Sequence, residues 1–169
     1  LYIARGQWQL ALDYLNKEIS THPRVSWRRK RRARAYFYLE QYDEALADIA
    51  QAVELSASDT SNLTWISTTH VANCPDENLR KGLLDLADRT VKLTYGSPEA
   101  YVTRGYLKGR LGNLDEALAD YERGIGATQD PGVRAQHFNN AAWYLATSPQ
   151  STPRHVEKAI EWVEKAIEL

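Results

Sequence analysis

The sequence holds a single cysteine, Cys74. One thiol forms no internal disulfide, so cysteine usage says nothing about compartment. No apolar run approaches the roughly 18 residues that a membrane-crossing helix needs. A basic-then-apolar leader is missing, and the chain starts at Leu1 rather than Met, as an excised piece of something longer would. Charge of one sign is missing too: 21 Lys and Arg against 22 Asp and Glu leave a net −1. No global field then draws nucleic acid or a membrane, although a balanced total can hide a local patch. Metal ligands are scarce. His70 and Cys74 sit four apart, the minimum for one pair on a helix face, but zinc takes three or four ligands. His22, His137 and His155 are isolated. Gly105, Gly109 and Gly112 form a loose glycine series, yet no strand precedes them, so they fail the context that phosphate cradling requires. No serine, cysteine or lysine has a base that spacing identifies beside it. The expectation is therefore no enzyme, no cofactor and no metal.

What is present is a globular composition, 43% hydrophobic and 25% charged, with internal repetition. The stretch from Tyr36 to Ser58 recurs as Tyr106 to Gln129, and D-E-A-L-A-D is identical at Asp43 to Asp48 and at Asp115 to Asp120. Upstream, Ala11, Leu12, Leu15 and Ile19 recur at helical spacing, which predicts a helix from about Trp8 to Ser20, ended by His22-Pro23. Ala11 lies 34 residues before Ala45, and Pro23 lies 34 before Ala57.

That period, with two helices per unit, resembles the tetratricopeptide repeat family. The second unit supplies the small and bulky residues of the family pattern at Ala33, Tyr36, Ala45, Ile49 and Ala52; the fourth supplies Tyr101, Gly105, Ala117, Tyr121 and Gly124, closing near Pro131. Small residues let two helix backbones approach to roughly 8–10 Å while bulky ones fill the gaps beside them. Units three and five are looser, with proline-led loops at Asn73-Cys74-Pro75-Asp76 and around Ser148 to Pro153. The resemblance implies an all-α, right-handed superhelical α-solenoid of antiparallel helix pairs. It would form a single array of about five units: 1–24 (partial), 25–59, 60–96, 97–131 and 132–169. Trp162, Val163, Ile167 and Leu169 would then be partly bare, and self-association through uncapped ends is expected.

Function follows from the same resemblance: a protein–protein interaction scaffold or adaptor that holds a peptide or protein in its concave groove, an acidic one among the candidates. Carried over position by position, the groove residues are Trp27, Lys30, Arg34, Phe37 and Tyr38 in unit two, and Glu99, Val102, Tyr106 and Arg110 in unit four. Asn139, Trp143 and Thr147 follow in unit five, and Thr64, Thr68 and Val71 in unit three. The partner-binding set expected from these is Trp27, Lys30, Arg34, Phe37, Tyr38, Tyr106, Arg110, Asn139 and Trp143, part of which, Phe37 first, also reads as inter-helix packing. Aromatic and arginine side chains are the usual carriers of interface energy. Some family members clamp a C-terminal carboxylate; Lys30 and Arg34 suit the first of those positions, but Trp65, Glu99 and Thr103 do not suit the later ones.

The run from Arg24 to Arg34 holds seven of the 21 basic residues. It reads either as an anion-binding patch or as a solvated helix face paired with Asp13, Glu18 or Asp48. Nucleic acid is the weaker of the anionic partners, because one short run among balanced charges is a small footprint. Asp43, Glu44, Asp48, Asp115, Glu116 and Asp120 look like catalytic carboxylate pairs, but their repetition assigns them to helix openings and the positive end of the dipole. An architectural role, spacing other domains with an empty groove, is the alternative to an adaptor. No membrane partner is expected.

Overall fold

The computed structural model describes residues 6–64 and 76–169. Eight helices have both ends among them: α1 (Trp8–Thr21), α2 (Ser26–Tyr38), α3 (Tyr42–Leu55), α4 (Glu77–Leu93), α5 (Pro98–Arg110), α6 (Leu114–Ala127), α7 (Pro131–Thr147) and α8 (Pro153–Glu168). Residues 61–64 are helical as well, and no strand occurs among the described residues. His70, Cys74, the break at residues 73–75, and the groove positions Trp65, Thr68 and Val71 lie outside them.

Several helix ends have a local cause. The first turns of α5, α7 and α8 carry Pro98, Pro131 and Pro153, where a missing N–H leaves no bond unmade. Ser97, Asp130 and Asp76 accept from backbone N–H groups of α5, α7 and α4 through their side chains. The α2–α3 and α5–α6 turns are built alike: Gln41 N–H donates to the Tyr36 carbonyl at 3.0 Å, and Asn113 N–H to the Lys108 carbonyl at 2.9 Å. Both turns need a left-handed residue, Glu40 (φ 59°) in one and Gly112 (φ 91°) in the other. The longer α7–α8 connection is pinned by the Ser151 hydroxyl on the Leu145 carbonyl, and His155 Nδ1 accepts from Thr152 N–H at 3.2 Å.

Neighbouring helices pack in chain order, α1 on α2, α2 on α3, and onward to α8, while α5 also touches α7 across α6. On the other layer α6 meets α8, with Lys158 Nζ 3.4 Å from Glu122 and His155 Nε2 3.3 Å from Asp115. First helices of successive pairs thus line one layer and second helices the other: an all-α solenoid. Its interior runs from Ala11, Leu12 and Leu15 against Ala35, through Ile49, Leu83 and Leu107, to Tyr121, Leu145 and Trp162.

Two expectations change. Trp162 is not bare: it is 2% exposed, edge-on to Tyr121 and tilted against Phe138, because its side chain turns back toward α6 and α7. Val163, Ile167 and Leu169 are exposed as expected. Asp48 and Asp120 do not open helices; of the six acidic residues, Asp43, Glu44, Asp115 and Glu116 stand in first turns, after the N-caps Gln41 and Asn113, which make no side-chain cap bond. One helical turn further on, Asp48 and Asp120 face inward and are 3% and 2% exposed.

Candidate partner-binding face

The basic run folds as α2, and helical geometry sorts its charges. One side is neutralised. Arg32 lays Nε and Nη2 on the two oxygens of Asp48 at 2.6 and 2.8 Å, and its Nη1 donates to Asn16 on α1 at 2.8 Å. Arg29 also reaches Asp48, at 3.4 Å, and Arg28 meets Glu18 at 3.0 Å. Lys30 donates to Ser61 at 2.5 Å, with Asp59 at 3.9 Å. The hydrogen bonds and charge of Asp48 raise the Arg32 pKa.

The opposite stripe, Trp27, Arg31, Arg34 and Tyr38, stays in solvent. Among the described residues neither Arg31 nor Arg34 forms an ion pair. Their guanidinium groups lie instead over aromatic rings, Arg31 4.8 Å from Trp27 and Arg34 5.9 Å from Tyr38. Tyr38 stacks on Trp8 of α1, centroids 4.1 Å apart and planes 9° off parallel. Phe37, 9% exposed, turns inward against Tyr42. Of the five residues expected on this helix, Trp27, Arg34 and Tyr38 share the open stripe, and Lys30 and Phe37 leave it.

The second cluster belongs to α5 and α7. Tyr106 packs on Tyr121 and Tyr144, at 5.4 and 5.0 Å, and Arg110 lies 5.0 Å over Tyr144. Burial, partly offset by a hydrogen bond to Asn140, pushes the Tyr106 phenol up to about 12. Asn139 is exposed, and Trp143 projects into solvent at 67% exposure. Glu99 is exposed while Val102 and Thr103 are buried, and His137 is held below its usual pKa by burial.

Reading by position alone did not single out Trp8, Arg31, Asn140 or Tyr144. Arg31 was recoverable from the heptad-like spacing of Trp27, Arg31, Arg34 and Tyr38. Trp8 was not, because it reaches this face from the preceding helix pair.

Residues 31–59 and 98–131 match the family model of the tetratricopeptide repeat. No curated protein sequence matches the chain. Among solved structures it is similar in fold to MamA, at TM-score 0.56 and 17% identity over 99% of this chain and 91% of that one. MamA from Desulfovibrio magneticus RS-1, residue 41 to its end, gives 0.55 and 15% over 99% and 88%. YrrB, described as a TPR protein with an unusual peptide-binding site, gives 0.51 and 25% over 99% and 80%.

Proposed function

Because the chain carries two tetratricopeptide repeats within an all-α solenoid, we propose that it is a protein-interaction scaffold that receives an acidic peptide along the α2 stripe. One observation carries this reading. Arg28, Arg29, Lys30 and Arg32 are all engaged inside the fold, whereas Arg31 and Arg34 stand in solvent beside Trp27 and Tyr38. An arginine held over an aromatic ring keeps its charge and outer donors for a carboxylate, and the ring supplies apolar area at small entropic cost. Carboxylates would orient the ligand, and the aromatic faces would retain it. Arg110, Asn139 and Trp143 extend the same reading to α5 and α7. The similarity to YrrB, itself described as having a peptide-binding site, supports a peptide over a folded surface.

The test is a titration of Trp fluorescence with a glutamate-rich peptide bearing one aromatic residue, against the chain and an Arg31→Glu/Arg34→Glu variant. The expected result is saturable binding that the double charge reversal weakens by about tenfold or more. Indifference to the reversal, or tighter binding of random single-stranded DNA with a steep salt dependence, overturns the reading.

A further inference from the structure

We infer that the cavity between α6, α7 and α8 binds a small aromatic monocarboxylate, at a site separate from the α2 stripe. The cavity measures about 630 Å³, within the range of small-molecule sites. Ile125 and Gly126 of α6, Phe138 of α7 and Trp162 of α8 give it an apolar wall, and Arg134 of α7 and Lys165 of α8 add positive charge. It lies on the side of α8 that faces α6. Val156, Ile160, Val163 and Ile167 occupy the opposite side of that helix, so whatever packs on them leaves these walls as they are.

An internal comparison shows what the space is missing. In the D-E-A-L-A-D register, Gly126 stands where α3 has Glu54. Buried Leu79, Leu83 and Leu86 of α4 recur at one offset as buried His155, Ala159 and Trp162 of α8, which sets Lys165 where α4 has Arg89. Glu54 and Arg89 meet at 2.6 Å and span α3 and α4. The corresponding gap between α6 and α8 keeps the cation and loses the carboxylate. A Cβ on Gly126 would meet nothing within 4 Å. Nearer the start of α8, His155 and Lys158 do reach α6, at Asp115 and Glu122. Beyond Glu122 no ion pair among the described residues joins the two helices.

Arg134 supplies an independent observation. Its Nε is buried without a hydrogen-bond partner, and the residue forms no ion pair among the described residues. The other cations on the wall are engaged: Lys158 by Glu122 and Glu161 at 3.4 and 2.9 Å, and Lys165 by Glu161 at 2.5 Å. The one further acid of the lining, Glu168, stands in solvent. A guanidinium stranded in a partly apolar cavity calls for a carboxylate, the anion whose two oxygens its planar fork fits. Phe138 and Trp162, with ring centroids 5.9 Å apart, offer ring surface to an aromatic body. The ligand's carboxylate would then stand in for the one that α3 carries at Glu54, with its ring in the space left open at Gly126.

The probe is naphthylacetate, titrated by calorimetry into the 169-residue chain, with the neutral naphthylethanol as its control. One-to-one saturable binding is expected, the acid binding about tenfold or more tighter than the alcohol. Arg134→Gln should bring the acid down to the level of the alcohol and leave the alcohol unchanged. Gly126→Glu puts the α3 residue back into open space, so it should abolish binding of both compounds without lowering the thermal midpoint or altering circular dichroism. The Arg31→Glu/Arg34→Glu variant should bind the acid as the parent does, which separates this site from the α2 stripe. Absence of saturation below about 10 mM overturns the proposal, as does equal affinity for acid and alcohol. Binding that survives Gly126→Glu, or that the α2 charge reversal removes, overturns it as well, because the probe would then sit elsewhere.

Discussion

Two buried contacts show how single side chains set the helix spacing. Ala33 and Ile49 in one repeat correspond to Gly105 and Tyr121 in the other, and all four are fully or almost fully buried. The smaller residue stands opposite the larger ring. A Cβ on Gly105 would lie 2.7 Å from the Tyr121 ring and 3.2 Å from the Ala117 carbonyl. Gly105→Ala is expected to lower stability by about 1–3 kcal/mol through overpacking. Tyr121→Ile alone should cost about 2–4 kcal/mol through a cavity, softened because the buried Tyr121 hydroxyl has no hydrogen-bond partner. The double variant rebuilds the Ala33–Ile49 pairing, so chemical denaturation should find it more stable than the sum of the single changes predicts. At Tyr106 the relevant variable is pH. Burial favours the neutral phenol, raising its pKa from 10.0 to about 12. The folded state therefore keeps a proton that the unfolded state releases, so this contribution is intact below pH 10 and lost as pH rises from 10 to 12. Absorbance of the phenolate should follow that window, and Tyr106→Phe should flatten the loss of stability across it. The small and bulky positions were legible in the sequence because they repeat. The outward turn of Trp27 was less so, whereas Phe37 was already the first of the groove aromatics to read as inter-helix packing, and it does turn inward.

Between elements the recurring device is an arginine that ties three helices together. Arg32 joins α2 to Asp48 on α3 and Asn16 on α1; Arg104 joins α5 to Asp120 on α6 and Asp88 on α4. Both carboxylates are buried, so the pair matters mainly through what its removal leaves behind. Arg32→Ala is expected to cost about 2–4 kcal/mol, leaving Asp48 with the 3.4 Å contact from Arg29. Arg32→Lys should recover only part of that, because an ammonium cannot make the side-on pair of bonds. Urea midpoints of the parent, both variants and an Asp48→Asn/Arg32→Ala double variant would check this; the double variant should lie above Arg32→Ala alone if the stranded charge causes the loss. Reading the identical D-E-A-L-A-D as one acidic helix opening merged two kinds of residue. Asp43 and Glu44 stand at the dipole end, whereas Asp48 answers an arginine sixteen residues earlier. Both copies hold that arginine at the same distance; Asp48 was legible as an acidic neighbour of the basic run, but which arginine answers it was not, because a pairing between helices fixes no local spacing.

At the scale of the whole chain, helix pairing was legible because the apolar period and the 34-residue repeat agree on where each helix must bury its face. The location of a ligand was less legible, since it depends on which cations the fold consumes. The same chain-order packing has a mechanical consequence. Among the described residues α1 to α3 meet α5 to α8 largely through α4, so stability should be a sum of local interfaces rather than one all-or-none core. Asp48→Asn removes the charge that holds Arg29 and Arg32 and touches nothing on α5 to α8. Native-state hydrogen exchange on that variant should therefore accelerate amides of α1, α2 and α3 by about tenfold or more, while those of α5, α6 and α7 change by less than about twofold. Equal acceleration along the chain would mean that one cooperative unit, not a stack of separable interfaces, sets the exchange.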